Sequence, residues 1–196
     1  MKTSLLCRSF ALAVLALCVA CGREAGDRGM SGQSVASPSV YVVALDTSTS
    51  AKTIHEQLYN RALKNMESMP RSARLVVIRF DSAAAEVYDG RAIVDGGEAG
   101  KLLKPELKWQ SKTTGTNLAR LFERVQQRLE GTNEMVKIDV YTDCGTEEMS
   151  AVDEETARRL SGRWKEAGNV TVAFHGVETG FREKVRALVS MPVEID

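Results

Sequence analysis

Three short stretches of this chain set oxygen-bearing side chains where they could hold a hard cation. Asp46-Thr47-Ser48-Thr49-Ser50 puts one carboxylate and two hydroxyls at alternate positions straight after an apolar run. Gly115-Thr116-Asn117 puts a hydroxyl just ahead of an amphipathic segment. Thr142-Asp143-Cys144-Gly145 adds a second carboxylate after another apolar run. Two carboxylates and three hydroxyls make a small, oxygen-only donor set. Mg²⁺ takes such ligands in near-octahedral geometry and usually keeps several waters, and Mn²⁺ shares the preference for oxygen. With so few protein ligands, the other positions fall to water or to a partner. Spacing alone leaves a second reading open at each stretch. Asp46 and Ser48 could cap a helix starting near Lys52, Thr116 could cap the helix behind it, and Asp143 could cap a strand end beside Gly145.

The donors matter together only if the fold brings them together. Tyr41 to Leu45 is rich in β-branched and large apolar residues, which predicts a strand buried on both faces. Arg74 to Phe80, Val136 to Thr142 and Asn169 to Phe174 predict three more strands. Lys137 and Asp139 alternate with apolar residues, so the strand from Val136 to Thr142 is expected to be less completely covered than the first. Helices are predicted over 52–69, 117–130 and 150–167, and Phe181, Val185, Leu188 and Val189 stripe a last one. Asp89-Gly90-Arg91, flanked by Glu86 to Tyr88 and Ala92 to Val94, predicts a hairpin turn with one arm as an edge strand. Gly96, Gly97 and Gly100 predict a loosened chain, and Pro105 divides the apolar residues after them. Strands alternating with helices indicate a doubly wound α/β domain with a mostly parallel sheet, one antiparallel edge strand and helices on both faces. The room after Phe181 suits five parallel strands in all. In open sheets of this kind ligands bind beyond the carboxyl ends of the strands, where Asp46, Ser48, Ser50, Thr116 and Asp143 are expected to fall.

These residues resemble the metal-ion-dependent adhesion site, or MIDAS, of von Willebrand factor A (VWA) domains. The family's Asp-x-Ser-x-Ser is matched by Asp46, Ser48 and Ser50. Its Gly-Thr turn before a helix is matched by Gly115-Thr116, and its aspartate after a buried strand by Asp143 within Thr142-Asp143. Cys144 stands where the family usually has glycine. The resemblance covers residues 40–196 and implies a Rossmann-like VWA fold. It implies that Ser48 and Ser50 bind a divalent cation directly, that Asp46 and Asp143 do so directly or through water, and that Thr116 does either. It further implies a partner protein that offers an Asp or Glu side chain to the cation, and a binding module rather than an enzyme. The competing readings are a metal-independent scaffold of the same fold and a metal-dependent hydrolase. The hydrolase lacks sequence support: there is no Walker-type phosphate loop, and the two histidines, His55 and His175, are read as a polar helix position and a structural or exposed one.

The start of the chain has another character. Met1 to Ser9 carries Lys2 and Arg8 without an acid, and Phe10 to Val19 is apolar. Residues 1–20 therefore read as a secretory signal peptide. Ala20-Cys21-Gly22 resembles a bacterial lipoprotein junction, with Cys21 lipidated as the first mature residue. Residues 21–39, rich in Gly, Ser and charge, then form a flexible tether to the domain at 40–196. The expected location is the bacterial cell envelope, at the outer membrane where a cell has two. Removing Lys2 and Arg8 leaves 24 basic against 26 acidic residues, no excess to attract nucleic acid. Cys144 has no intramolecular partner if Cys21 carries lipid and the two earlier cysteines are removed. Lys101, Lys104, Lys108 and Lys112 make one connection locally basic, either as a solvated face or as an attraction for an acidic partner.

Overall fold

A computed structural model describes residues 37–109, 115–145 and 149–196. The signal segment, Cys21 and the tether through residue 36 lie outside the described residues, as do the turns at 110–114 and 146–148.

The central strand β1 (Val40–Asp46) pairs in parallel with β2 (Arg74–Phe80) on one side and β4 (Val136–Tyr141) on the other. β5 (Val170–His175) and β6 (Val193–Ile195) extend the sheet in parallel beyond β4. β3 (Ala84–Arg91) closes the far edge, antiparallel to β2. The order is β3-β2-β1-β4-β5-β6: the chain runs outward from β1 through β2 to β3, then crosses back to β4 on the other side of β1, which opens a crevice at the β1/β4 boundary.

The alternation along β1 explains its composition. Val42 and Ala44 face one core with Leu118, Phe122 and Val125 of α3 (Leu118–Leu129), and with α4 (Ala151–Ala167) and α5 (Arg182–Leu188). Val43 and Leu45 face the other core with Leu58, Ala62 and Met66 of α1 (His55–Glu67) and Leu103 and Leu107 of α2 (Gly96–Leu107). Each fully buried Val or Leu contributes about 1.5–3 kcal/mol. A strand buried on both faces therefore anchors both helical layers. Helix ends follow local chemistry. Ser150 accepts from the Asp153 amide at the start of α4, and Gly168 ends it in the left-handed conformation, φ 70°.

Several expectations need correction. The hairpin turn lies at Asp81 to Ala83, not at Asp89-Gly90-Arg91: the Asp81 carboxylate accepts from the Ala83 amide, and β3 continues through Gly90. The Tyr88 ring folds over Gly90, where a Cβ would lie 2.6 Å from its hydroxyl, and Asp89 pairs with Arg74 of β2 at 2.7 Å. The glycine serves close side-chain cover, not a turn. Gly96, Gly97 and Gly100 lie inside α2, because Asp95 caps it and accepts from the Glu98 amide while Leu103 and Leu107 anchor it. α1 begins at His55 after a 3₁₀ turn over Ser50–Thr53, later than Lys52. The five parallel strands expected are present, but the fifth, β6, lies after Phe181 together with the last helix, where the sequence predicts a helix alone. Asp139 is fully buried; it pairs with His175 at 2.8 Å and Lys137 at 3.1 Å and accepts from Asn65 at 3.0 Å. His55 is buried, not on the polar side of its helix. Among the described residues no helix is long and apolar enough to cross a membrane.

Candidate metal centre

The five expected donors come from three loops at the carboxyl edge of the sheet. Asp46 ends β1 and the chain turns at once, with the Thr47 amide donating to the Phe80 carbonyl at 2.8 Å. Thr116 precedes α3, whose approach is tied down by the Asn117 amide donating to the Asp81 carbonyl at 2.8 Å. Asp143 follows β4, and its carbonyl accepts from the Glu178 amide at 3.3 Å.

All five side chains meet. The Thr116 hydroxyl lies 2.9 Å from Asp46 Oδ2 and 3.1 Å from Ser48 Oγ. Ser48 Oγ lies 3.0 Å from Ser50 Oγ, which donates to Asp143 Oδ1 at 3.3 Å. The capping alternatives fail for Asp46, Ser48 and Thr116, while Asp143 does cap its own turn. Asn117, not Thr116, caps α3, accepting from the Arg120 amide at 3.2 Å. No side chain caps α1 or the turn before it, and Asp46 Oδ1 accepts instead from the Ser48 amide at 2.8 Å. Asp143 Oδ1 accepts from the Gly145 amide at 3.2 Å, so it shapes its own turn while facing Ser50.

Electrostatics mark Asp46. It is fully buried, and burial pushes its carboxyl up to about 6. Hydrogen bonds from Thr142 and Ser48 act against that rise, and the charge of Asp143 adds to it. A buried carboxylate beside a second carboxylate is a poor arrangement without a cation and a suitable one with it. The donor set is hard oxygen throughout, so it fits a Mg²⁺-type ion better than a soft metal. Among the described residues no group of three or more His, Cys, Asp or Glu side chains is placed to hold a metal. The candidate set is two carboxylates completed by hydroxyls.

Cys144 has φ 64°, a left-handed backbone that side chains adopt reluctantly, which is the physical reason for glycine at such a position. Its thiol is fully buried and pushed up by burial, then by the charges of Asp46 and Asp143, so it packs as a neutral group. Gly145 carries a separate demand: a Cβ there would lie 3.0 Å from Ser50 Oγ.

Two supporting residues had no role assigned from sequence. Thr142 donates to Asp46 Oδ2 at 2.5 Å and accepts from the Cys144 amide at 2.8 Å, joining two of the loops. Its place in the Thr142-Asp143 pair was the available signal. Trp109 donates from Nε1 to the Ser48 carbonyl at 3.0 Å across 61 residues of sequence, and nothing local announces it.

No protein-family model and no curated protein matches the sequence. Solved structures do match. A von Willebrand factor type A protein from Catenulispora acidiphila is similar with TM-score 0.57 and 16% identity, over 82% of this chain and 39% of that one. Proximal thread matrix protein 1 from the mussel byssus is similar with TM-score 0.59 and 16% identity, over 81% and 43%. The same mussel protein with a zinc-occupied MIDAS motif is similar with TM-score 0.57 and 16% identity, over 80% and 40%. The chain thus spans about two fifths of the length of these structures. The likeness establishes the fold: a mostly parallel sheet with one antiparallel edge and helices on both faces, the VWA architecture.

Proposed function

We propose that this VWA-fold chain is a protein-binding module that holds a divalent cation with Asp46, Ser48, Ser50, Thr116 and Asp143. The observation that carries the reading is the meeting of five oxygen donors from three loops around a buried carboxylate. The cation would supply an electrophilic position open to an Asp or Glu side chain of a partner protein. The chain's residues do the rest. Asp46 and Asp143 provide charge, the hydroxyls of Ser48, Ser50 and Thr116 provide neutral donors, and Thr142 and Trp109 hold the loops. Few charges on the protein side favour an acidic ligand from outside. The mussel protein with zinc in its MIDAS motif supports a cation at such a corner of this fold. The oxygen-only donors here favour Mg²⁺, with Mn²⁺ as the other candidate. Binding, not turnover, is the proposed activity. We propose further that lipid at Cys21 anchors the domain to a membrane of the bacterial envelope, with residues 22–39 giving it reach.

The metal-independent scaffold has one observation in its favour: both Asp46 oxygens already accept hydrogen bonds, from Ser48, Thr116 and Thr142. Calorimetric titration of Mg²⁺ and Mn²⁺ into chelator-treated protein separates the two readings. Saturable one-site heat that disappears in folded Asp143→Ala supports the cation. Absence of saturable heat from either ion, or an Asp143→Ala variant that unfolds, supports the scaffold.

A further inference from the structure

A cleft of about 370 Å³ opens between α1 and α2, beside the candidate cation site. His55, Tyr59 and Asn60 form one wall, and Lys104, Lys108 and Trp109 the other. Trp109 joins the cleft to the site. Its indole N–H holds the carbonyl of Ser48, and Lys52 Nζ sits 4.6 Å from the centre of its ring. The backbone that carries Ser48 and Ser50 is therefore one side of a continuous surface that runs over Trp109 into the cleft.

The cleft is built for a charged ligand. Lys104 and Lys108 stand at its rim and Lys52 over its end, against one acid, Glu56. α1 begins here with no side-chain cap, so its positive helix end adds to the same field. Deeper, His55 Nε2 and the Tyr59 hydroxyl are buried in the walls with no hydrogen-bond partner among the described residues, each residue being 8% exposed. Buried polar atoms without partners are uncommon, and each calls for an explanation such as a bound group. Burial also holds the His55 imidazole below its ordinary value, against a backbone hydrogen bond with Leu107, so the ring is neutral at pH 7 and adds no positive charge. A peptide segment supplies what the exposed rim lacks, a carboxylate for the lysines.

We infer that this cleft is the second half of the partner-binding surface, taking a peptide segment of the partner whose additional acidic side chain lies between Lys104 and Lys108. The inference rests on the cation reading for the first carboxylate. It adds that one acidic residue is insufficient and that partners are chosen by a second.

The test uses labelled Gly-Ser peptides carrying one aspartate, or that aspartate with a second at a graded series of spacings. Binding is followed by fluorescence anisotropy in Mg²⁺ and in chelator. At the best spacing, the two-acid peptide should bind about threefold to tenfold more tightly than the one-acid peptide in Mg²⁺, as two partly exposed ion pairs provide. Lys104→Gln with Lys108→Gln should erase that preference while leaving the calorimetric Mg²⁺ titration unchanged. Equal binding of both peptides at every spacing overturns the inference, as does a preference that survives the double substitution. The readings fail separately. If Mg²⁺ gives no heat yet a lysine-dependent preference appears in chelator, the cation reading fails and the cleft stands. If Mg²⁺ binds with no preference, the cleft fails alone.

Discussion

Asp46→Asn changes one oxygen for a nitrogen at the floor of the candidate site and removes a buried charge. The carboxyl lies at about 6 against an ordinary 3.8, chiefly because burial disfavours the ionised form. Each pH unit of that gap corresponds to about 1.4 kcal/mol, so ionised Asp46 costs the folded, cation-free protein on the order of 3 kcal/mol. The amide keeps Oδ1 as acceptor for the Ser48 amide, and its nitrogen can donate to the hydroxyls of Thr116 and Thr142 once these rotate. Imperfect geometry takes back part of the gain. A net stabilisation of about 1–3 kcal/mol is expected in chelator at pH 7.5, or about 3–10 °C in melting temperature for a domain of this size.

The sign with pH is specific. A carboxyl whose folded value is raised contributes stability that is fully present below about 3.8 and lost as pH rises through about 6. Parent and variant should therefore coincide near pH 3.5, diverge between about 4 and 6, and stay apart by a constant amount above that. Differential scanning calorimetry of both proteins in chelator, across this range, measures it. In excess Mg²⁺ the order should reverse, because the parent gains stability from a bound ion and the variant does not. A variant that is less stable than the parent in chelator at pH 7.5, or a difference that ignores pH, would refute the claim that Asp46 is held charged against its own folding for the sake of a cation.

Four further outcomes are expected. Gly145→Ala should lower Mg²⁺ affinity about tenfold by pushing on Ser50, with little change in stability; unchanged affinity in calorimetry would remove Ser50 from the ligand set. Cys144→Val should destabilise by more than about 2 kcal/mol in urea melts, since a β-branched side chain suits neither φ 64° nor the full burial there. Cys144→Gly should stay within about 1 kcal/mol of the parent, because relief of the left-handed backbone offsets the lost thiol packing. Cys21→Ser should move the protein from the membrane to the soluble fraction on cell fractionation, and retention in membranes would sink lipid anchoring.

What could be read from the chain beforehand depended on the range over which each feature is encoded. The meeting of the candidate side chains was legible because each sits within a few residues of the strand or helix that delivers it: Asp46 after Val43 to Leu45, Thr116 before Leu118, Asp143 after Val140 and Tyr141. The sheet was legible for the same reason, since β1 and β2 must be apolar on both sides to sit between two helical layers. β6 was missed because three residues carry no period. The Asp-Gly pair at 89–90 misled because a local turn signal says nothing about Tyr88 covering the glycine or Arg74 taking the aspartate. The three glycines at the start of α2 were outweighed by the Asp95 cap and by Leu103 and Leu107 packing under the sheet.

Cys144 shows where the two ranges meet. As a letter it only departed from the family's glycine. In the structure it keeps the glycine's backbone and fills space with its thiol, so the turn that aims Asp143 at Ser50 survives the substitution. The strain this implies lies in the same loop whose next residue, Gly145, leaves room for Ser50. A loop that keeps a left-handed residue other than glycine at Cys144, beside a Gly145 that leaves room for Ser50, while presenting the Asp143 carboxylate near that of Asp46, is held by its surroundings against local preference. Strain at Cys144 and like charge at Asp46 and Asp143, concentrated in one corner, favour the proposed cation site over a purely structural turn.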